Sequence, residues 1–116
     1  MLLRDIISIA NARALTPDFS TDAEVQCGFA SDLMSDVLRF DLSQGLLVSG
    51  LANPQVVRTA EMADVVAILM VRGKVPPPET IELAAQLGIP MFATENIMFE
   101  TCGKLYTAGL AAARRR

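Results

Sequence analysis

The chain reads as a single three-layer α/β/α domain built on a mainly parallel sheet of about five strands. Three observations predict this. From Val25 onward, short apolar runs alternate four times with stretches of helical period. The runs are close to continuously apolar, most clearly Val65-Val66-Ala67-Ile68-Leu69-Met70-Val71, as strands covered on both faces require. The 116 residues, 52% hydrophobic and 20% charged, amount to one domain with enough core to fold alone. No linker, low-complexity segment or repeat divides residues 1–116.

Taken in order, Leu3, Ile6, Ile7 and Ala10 have the i, i+3, i+4, i+7 spacing of a short amphipathic helix. Residues 12–15 fit a brief strand, and Thr16-Pro17-Asp18 with Ser20-Thr21-Asp22 make 16–22 a loop, so 1–22 form a helix-and-loop lead-in. The four apolar runs at 25–30, 46–51, 65–71 and 90–93 are the predicted strands. Ser31 is placed to cap a helix whose core stripe is Leu33, Met34, Val37 and Leu38, with Asp32, Ser35, Asp36 and Arg39 turned outward. Asn53 before Pro54 pairs an N-cap with the residue best suited to the first helical position, ahead of Val56, Val57, Ala60 and Ala63. Pro76-Pro77-Pro78 opens a helix carrying Ile81, Ala84, Ala85 and Leu87, which Gly88 and Pro90 end. The last helix is expected over 96–108, stopped by Gly109. Residues 110–116, closing on Arg114-Arg115-Arg116, read as a solvated Arg-rich tail. Five methionines (Met34, Met62, Met70, Met91 and Met98) sit at core-like positions.

Composition removes several function classes. A net charge of −3 and a pI near 4.8 leave no basic field for a nucleic acid. The absence of histidine excludes histidine-based triads and histidine-liganded zinc. Cys27 and Cys102 lie too far apart for a CxxC pair and are expected as free thiols of a reducing cytosol. The run 65–71 is too short to span a bilayer, and Arg4 and Asp5 interrupt any signal peptide, which predicts a cytoplasmic protein without a membrane partner. Neither GxxxxGK[ST] nor GxGxxG occurs, which argues against an ATP-using enzyme. No catalytic residue, resident metal or cofactor is assigned.

Ligands of open α/β sheets sit outside the carboxyl ends of the strands. That rule selects Ser31, Asp32, Asn53, Arg72, Gly73, Lys74 and Thr94 as candidate ligand-binding residues. Arg72 and Lys74 around Gly73 can hold a phosphate or carboxylate; the alternative is a solvated glycine turn. Asp32 and Asp36, at i and i+4 of the predicted helix, can together hold Mg²⁺ or form an acid/base pair; the preferred reading is structural, since a carboxylate in a first helical turn answers the macrodipole without any ligand. Ser31 and Thr94 read as caps rather than nucleophiles, since no histidine can activate them. Ile97, Met98 and Phe99 open the last helix as three consecutive bulky apolar residues. Either a subunit interface covers part of this trio or one member tucks beneath the sheet.

The segment from Asp22 to Leu38, with Ser31-Asp32-Leu33-Met34-Ser35-Asp36-Val37-Leu38 as its helix, resembles the signature of the DRTGG domain family. Arg72-Gly73, Pro78-Glu79-Thr80-Ile81, Gly88-Ile89-Pro90, Phe99-Glu100, Gly103-Lys104-Leu105-Tyr106 and Gly109 are similar to its second half, so the resemblance spans essentially the whole chain. Of the naming loop only Asp22 and Gly28 remain, because Ala23, Gln26 and Cys27 replace the arginine, threonine and first glycine. Ile97 and Met98 stand where many relatives have Ser-Thr, which weakens an anion site there and strengthens an apolar contact. The resemblance implies a fold like the N-terminal domain of HPr kinase/phosphorylase, without the phosphate loop or its chemistry. Relatives occur fused to CBS domains in nucleotide-sensing pyrophosphatases and free-standing beside iron-only hydrogenase genes. The expected function is a non-catalytic regulatory or interaction module, homodimeric, acting with a protein partner in redox or hydrogenase-linked metabolism. The alternative is a sensor of a nucleotide or other anionic ligand at the strand ends.

Overall fold

A computed structural model describes residues 1–116. Its elements run α1 (Leu3–Ile9), β1 (Arg13–Ala14), β2 (Gly28–Ala30), α2 (Met34–Val37), β3 (Phe40–Asp41) and β4 (Leu46–Ser49), then α3 (Pro54–Ala63), β5 (Ala67–Met70), α4 (Pro78–Gln86), β6 (Met91–Ala93), α5 (Met98–Thr107) and β7 (Arg114–Arg115). The main sheet has the order β1-β6-β5-β4-β2. Strands β2, β4, β5 and β6 are parallel, and β1 joins β6 antiparallel with Arg13 opposite Ala93. The expected three-layer domain with a mainly parallel five-stranded sheet is the one observed.

The strand order explains the layers. From β2 through β4 and β5 to β6 the chain always steps in the same direction, so crossovers of one hand deliver their helices to the same face. That face carries α2, α3 and α4, whose Met34, Val56, Val57, Ala60 and Ala84 pack on Leu47, Ile68, Met70 and Met91. The opposite face receives no crossover helix. The two terminal helices cover it, with Leu3, Ile6 and Leu105 packed on Val48, Leu69, Val71 and Phe92. All four residues of β4 and of β5 are buried, and each such aliphatic side chain contributes about 1.5–3 kcal/mol of transfer free energy.

Local signals hold best where backbone chemistry is strongest. Asn53 Oδ1 accepts the Gln55 N–H at 2.9 Å, and Pro54 is the first residue of α3. Gly88 adopts φ +71° beyond α4, and Gly109 adopts φ +109° beyond α5. The strands are shorter than the apolar runs because other partners take the flanking amides: Val25 N–H goes to Met1 O and Val65 N–H to Ala60 O.

Four expectations are corrected. The helix after Ser31 has only four residues, because Leu33 is extended and exposed while Ser31 Oγ accepts the Leu33 N–H in a turn ahead of the helix. Asp32 and Asp36 therefore do not share a helical face, and no group of three or more acidic or cysteine side chains converges on a metal position. Residues 110–116 are not a free tail, although Arg114, Arg115 and Arg116 are exposed to solvent as expected. Gly28 exchanges backbone hydrogen bonds with Ala111 and Ala113, and β7 pairs antiparallel with β3, so this strap covers the outer edge of β2. Met62 is exposed on α3 rather than in the core. No helix is long and apolar enough to cross a membrane.

Candidate functional site

Two places on the surface gather the residues singled out above. At the carboxyl ends of the strands, Asp32 Oδ1 accepts the Gly50 N–H at 2.6 Å and the Ser49 hydroxyl at 3.2 Å. Asp32 Oδ2 lies 3.9 Å from Arg72 Nη2. Arg72 and Gly73 are consecutive left-handed residues, at φ +60° and +65°, and a non-glycine residue there carries roughly 1–2 kcal/mol of backbone strain. The turn is tied down by Arg72 N–H to Asn96 O and Gly73 N–H to Thr94 O, both 2.9 Å. It lays the guanidinium over Gly50, where even a methyl group would meet Nη2 at 2.5 Å. The Glu95 carboxylate covers Gly73 in the same way, 2.8 Å from where a methyl would stand. Asp32 thus occupies the place that an anion would take between Gly50 and Arg72, and a second carboxylate stands at Gly73.

The other candidates at this end are used locally. Ser31 holds its turn and Asn53 caps α3. Thr94 is buried, donates its hydroxyl to Ala10 O at 2.6 Å and accepts the Asn96 N–H at 3.2 Å, linking β6 to the end of α1. Lys74 is exposed and makes no ion pair. Of the seven residues selected from the sequence, the structure brings Asp32, Arg72 and Gly73 together and leaves Ser31, Asn53 and Thr94 in structural roles.

The second place is the outer side of α5. Thr101 and Leu105 face the sheet, with Met98 and Cys102 half-buried beside them. Phe99 and Tyr106 stand out on another stripe, 87% and 71% exposed, with Ile97 55% exposed at the N-cap. Of the predicted trio, Met98 is therefore the one that tucks inward, while Ile97 and Phe99 stay outside. Beside the outer stripe lies an apolar recess of about 460 Å³, floored by Gly28, Ala30 and Val48 and walled by α5 and by Leu110 to Ala112 of the strap. It lies where α5 ends its cover of the terminal-helix face and β2 begins.

Gly103 sits in the middle of α5 and lines this recess. A methyl group there would meet nothing within 4 Å, so no packing inside the chain requires glycine. A mid-helix glycine nonetheless costs roughly 1 kcal/mol relative to alanine. Gly103, Tyr106 and the recess were not selected from the sequence. The available signal was the spacing of Phe99, Gly103 and Tyr106 at i, i+4 and i+7, a stripe separate from the inward Met98, Thr101, Cys102 and Leu105.

Neither thiol is activated. Burial pushes Cys27 above the usual thiol range, helped by the negative charge of Asp41, and burial alone does the same for Cys102. Asp41 moves the other way, held below the usual carboxylate range first by the Ser43 N–H and then by the Ser43 side chain.

No protein-family model matches the chain, and no curated protein matches it. Among solved structures it is similar to the CBS and DRTGG domains of the regulatory region of Clostridium perfringens pyrophosphatase, complexed with the activator diadenosine tetraphosphate. The TM-score is 0.70 at 16% sequence identity, over 90% of this chain. The chain spans 45% of the length of that structure. The likeness is one of fold: the chain shares a mixed α/β architecture with that region, here built on a five-stranded, mainly parallel sheet.

Proposed function

We propose that the chain is a regulatory module without catalytic activity of its own, working as a homodimer through the outer side of α5. The observation that carries this reading is the apolar stripe of Phe99 and Tyr106 beside an apolar recess, which nothing in the chain covers. Aromatic side chains expose about 150–250 Å² each, so the two rings and the recess supply a substantial part of the roughly 800 Å² per partner that a stable interface buries. Support for a regulatory role comes from the fold shared with part of a pyrophosphatase regulatory region. The DRTGG resemblance adds a redox or hydrogenase-linked pathway, with a protein partner, as the setting. Sedimentation of the purified chain from low to high micromolar concentration tests the reading. A concentration-dependent dimer is expected, and a monodisperse monomer throughout overturns it.

A second reading, ligand sensing at the strand ends, is favoured by the strained Arg72 turn, because such strain collects at functional positions. The pyrophosphatase region was solved with a dinucleoside polyphosphate activator. Here an anionic group would have to displace the Asp32 carboxylate from the Gly50 N–H and Arg72. Thermal denaturation against nucleotides, dinucleoside polyphosphates and inorganic phosphate tests this, since a ligand at about 100 times its Kd adds roughly 2.7 kcal/mol. A shift that disappears in Arg72→Ala/Lys74→Ala supports the strand-end site. A flat panel, or a shift that survives the double variant, removes it.

A further inference from the structure

Building on the dimer proposed above, we infer that α5 of a second copy supplies the helix lacking from the terminal-helix face. The two α5 helices pack antiparallel about a two-fold axis beside Gly103. Three crossover helices cover one face of the sheet and only two terminal helices cover the other, and the recess marks the shortfall beside β2. An interface of this kind must be self-complementary, and each copy carries both halves: a projecting Phe99 and an adjoining recess floored by Gly28 and Ala30.

The register follows from the residues. Phe99 and Tyr106 are two turns apart, about 10 Å along the helix, with Gly103 between them. An axis beside Gly103 places Phe99 of one copy near Tyr106 of the other, and the absent side chain lets the helices approach. Glycine at 103, idle within the monomer, thereby acquires a reason. The same axis brings Glu100 toward Lys104 of the second copy. Within one chain these two are already paired at 3.5 Å, so antiparallel packing sets opposite charges against each other on both sides of the axis.

The experiment compares the dimer dissociation constants of the wild-type chain, Gly103→Ala, Gly103→Leu, Glu100→Lys and Glu100→Lys/Lys104→Glu by sedimentation, with thermal denaturation of each at high dilution. Gly103→Ala is expected to raise the thermal midpoint of the dilute monomer while weakening association at least tenfold, two effects of opposite sign that a merely structural glycine does not give. Gly103→Leu is expected to abolish the dimer. Glu100→Lys is expected to weaken association several-fold, and the charge-swapped double variant to restore it. A wild-type dimer indifferent to both Gly103 variants overturns this packing but leaves the dimer itself standing. A charge-swapped double variant that stays as weak as Glu100→Lys also overturns it. A wild-type monomer at high micromolar concentration, alone or with a small apolar molecule in the recess, overturns both.

Discussion

At the carboxyl ends of the strands, polar groups meet one another: Asp32 takes the Gly50 N–H, the Ser49 hydroxyl and the approach of Arg72, and Thr94 joins Ala10 to Asn96. Along the outer side of α5, by contrast, Phe99 and Tyr106 stand mostly uncovered and a methyl group at Gly103 would meet nothing in the chain. The first region holds many residue types associated with ligands yet has satisfied them internally. The second contains little chemistry in that sense and is the one left incomplete. An unmet physical requirement, here apolar area and a glycine without an internal purpose, points more directly to a partner than a collection of capable side chains does.

The largest test of this contrast is Phe99→Ala. Buried aromatic anchors of interfaces contribute about 2 kcal/mol or more, so the dimer dissociation constant should rise at least about thirtyfold. Monomer stability should stay within about 0.5 kcal/mol, because the ring is 87% exposed within the chain. Equal loss of both, measured by sedimentation and urea denaturation, would place Phe99 in the monomer's own packing.

Thr94→Val probes the opposite region. It keeps the shape but deprives the Asn96 N–H of its acceptor and leaves Ala10 O with only the Asn96 side-chain amide at 3.4 Å. A loss of about 1–2 kcal/mol in urea denaturation is expected. An unchanged midpoint would mean that the hydroxyl is free to serve a ligand after all.

Asp32→Ala sharpens the comparison further. The carboxylate is half-exposed, so stability should fall by only about 1 kcal/mol, while binding of inorganic phosphate at Gly50 and Arg72 should strengthen. Weaker phosphate binding in this variant would show that Asp32 belongs to a receptive site rather than filling it. Of similar size, Asn53→Ala should cost about 1 kcal/mol through the lost cap, with no effect on association.

The smallest effect concerns pH. Both thiols are raised in the folded chain, Cys27 by burial and then by Asp41, and Cys102 by burial. The native state therefore holds these protons more tightly than the unfolded one. The associated stability is complete below the ordinary thiol pKa and is lost as pH rises through the raised folded values. Alkylation at neutral pH should be slower than for a free thiol, and slower still at Cys102 under conditions that favour the dimer. Protection of Cys27 alone on association would move the interface away from α5.

Most of the architecture was legible because its signals are local and strong. The continuous apolarity of 65–71 marks a strand buried on both faces, Asn53-Pro54 marks a helix start, and Gly88 and Gly109 mark chain reversals. The misread segments are those whose hydrogen bonds are made at long range. Ser31 and Asp32 have helix-start chemistry, yet Asp32 is drawn to Gly50, eighteen residues on, and the helix begins later and ends after one turn. Arg114 and Arg115 are solvated as a tail would be, but β3 is paired opposite them.

The sequence by itself determined the alternation of strand and helix, the two-sided burial of the central strands and the positions of the main caps, because these depend on periodicity and on backbone groups a few residues apart. Only the tertiary structure decided which strand ends were already satisfied and that three helices lie on one face against two on the other. It also decided that Phe99, Gly103 and Tyr106 stand uncovered beside a recess at β2. Those outcomes depend on strand order and on contacts between residues as distant as Gly28 and Leu110, which no local pattern records.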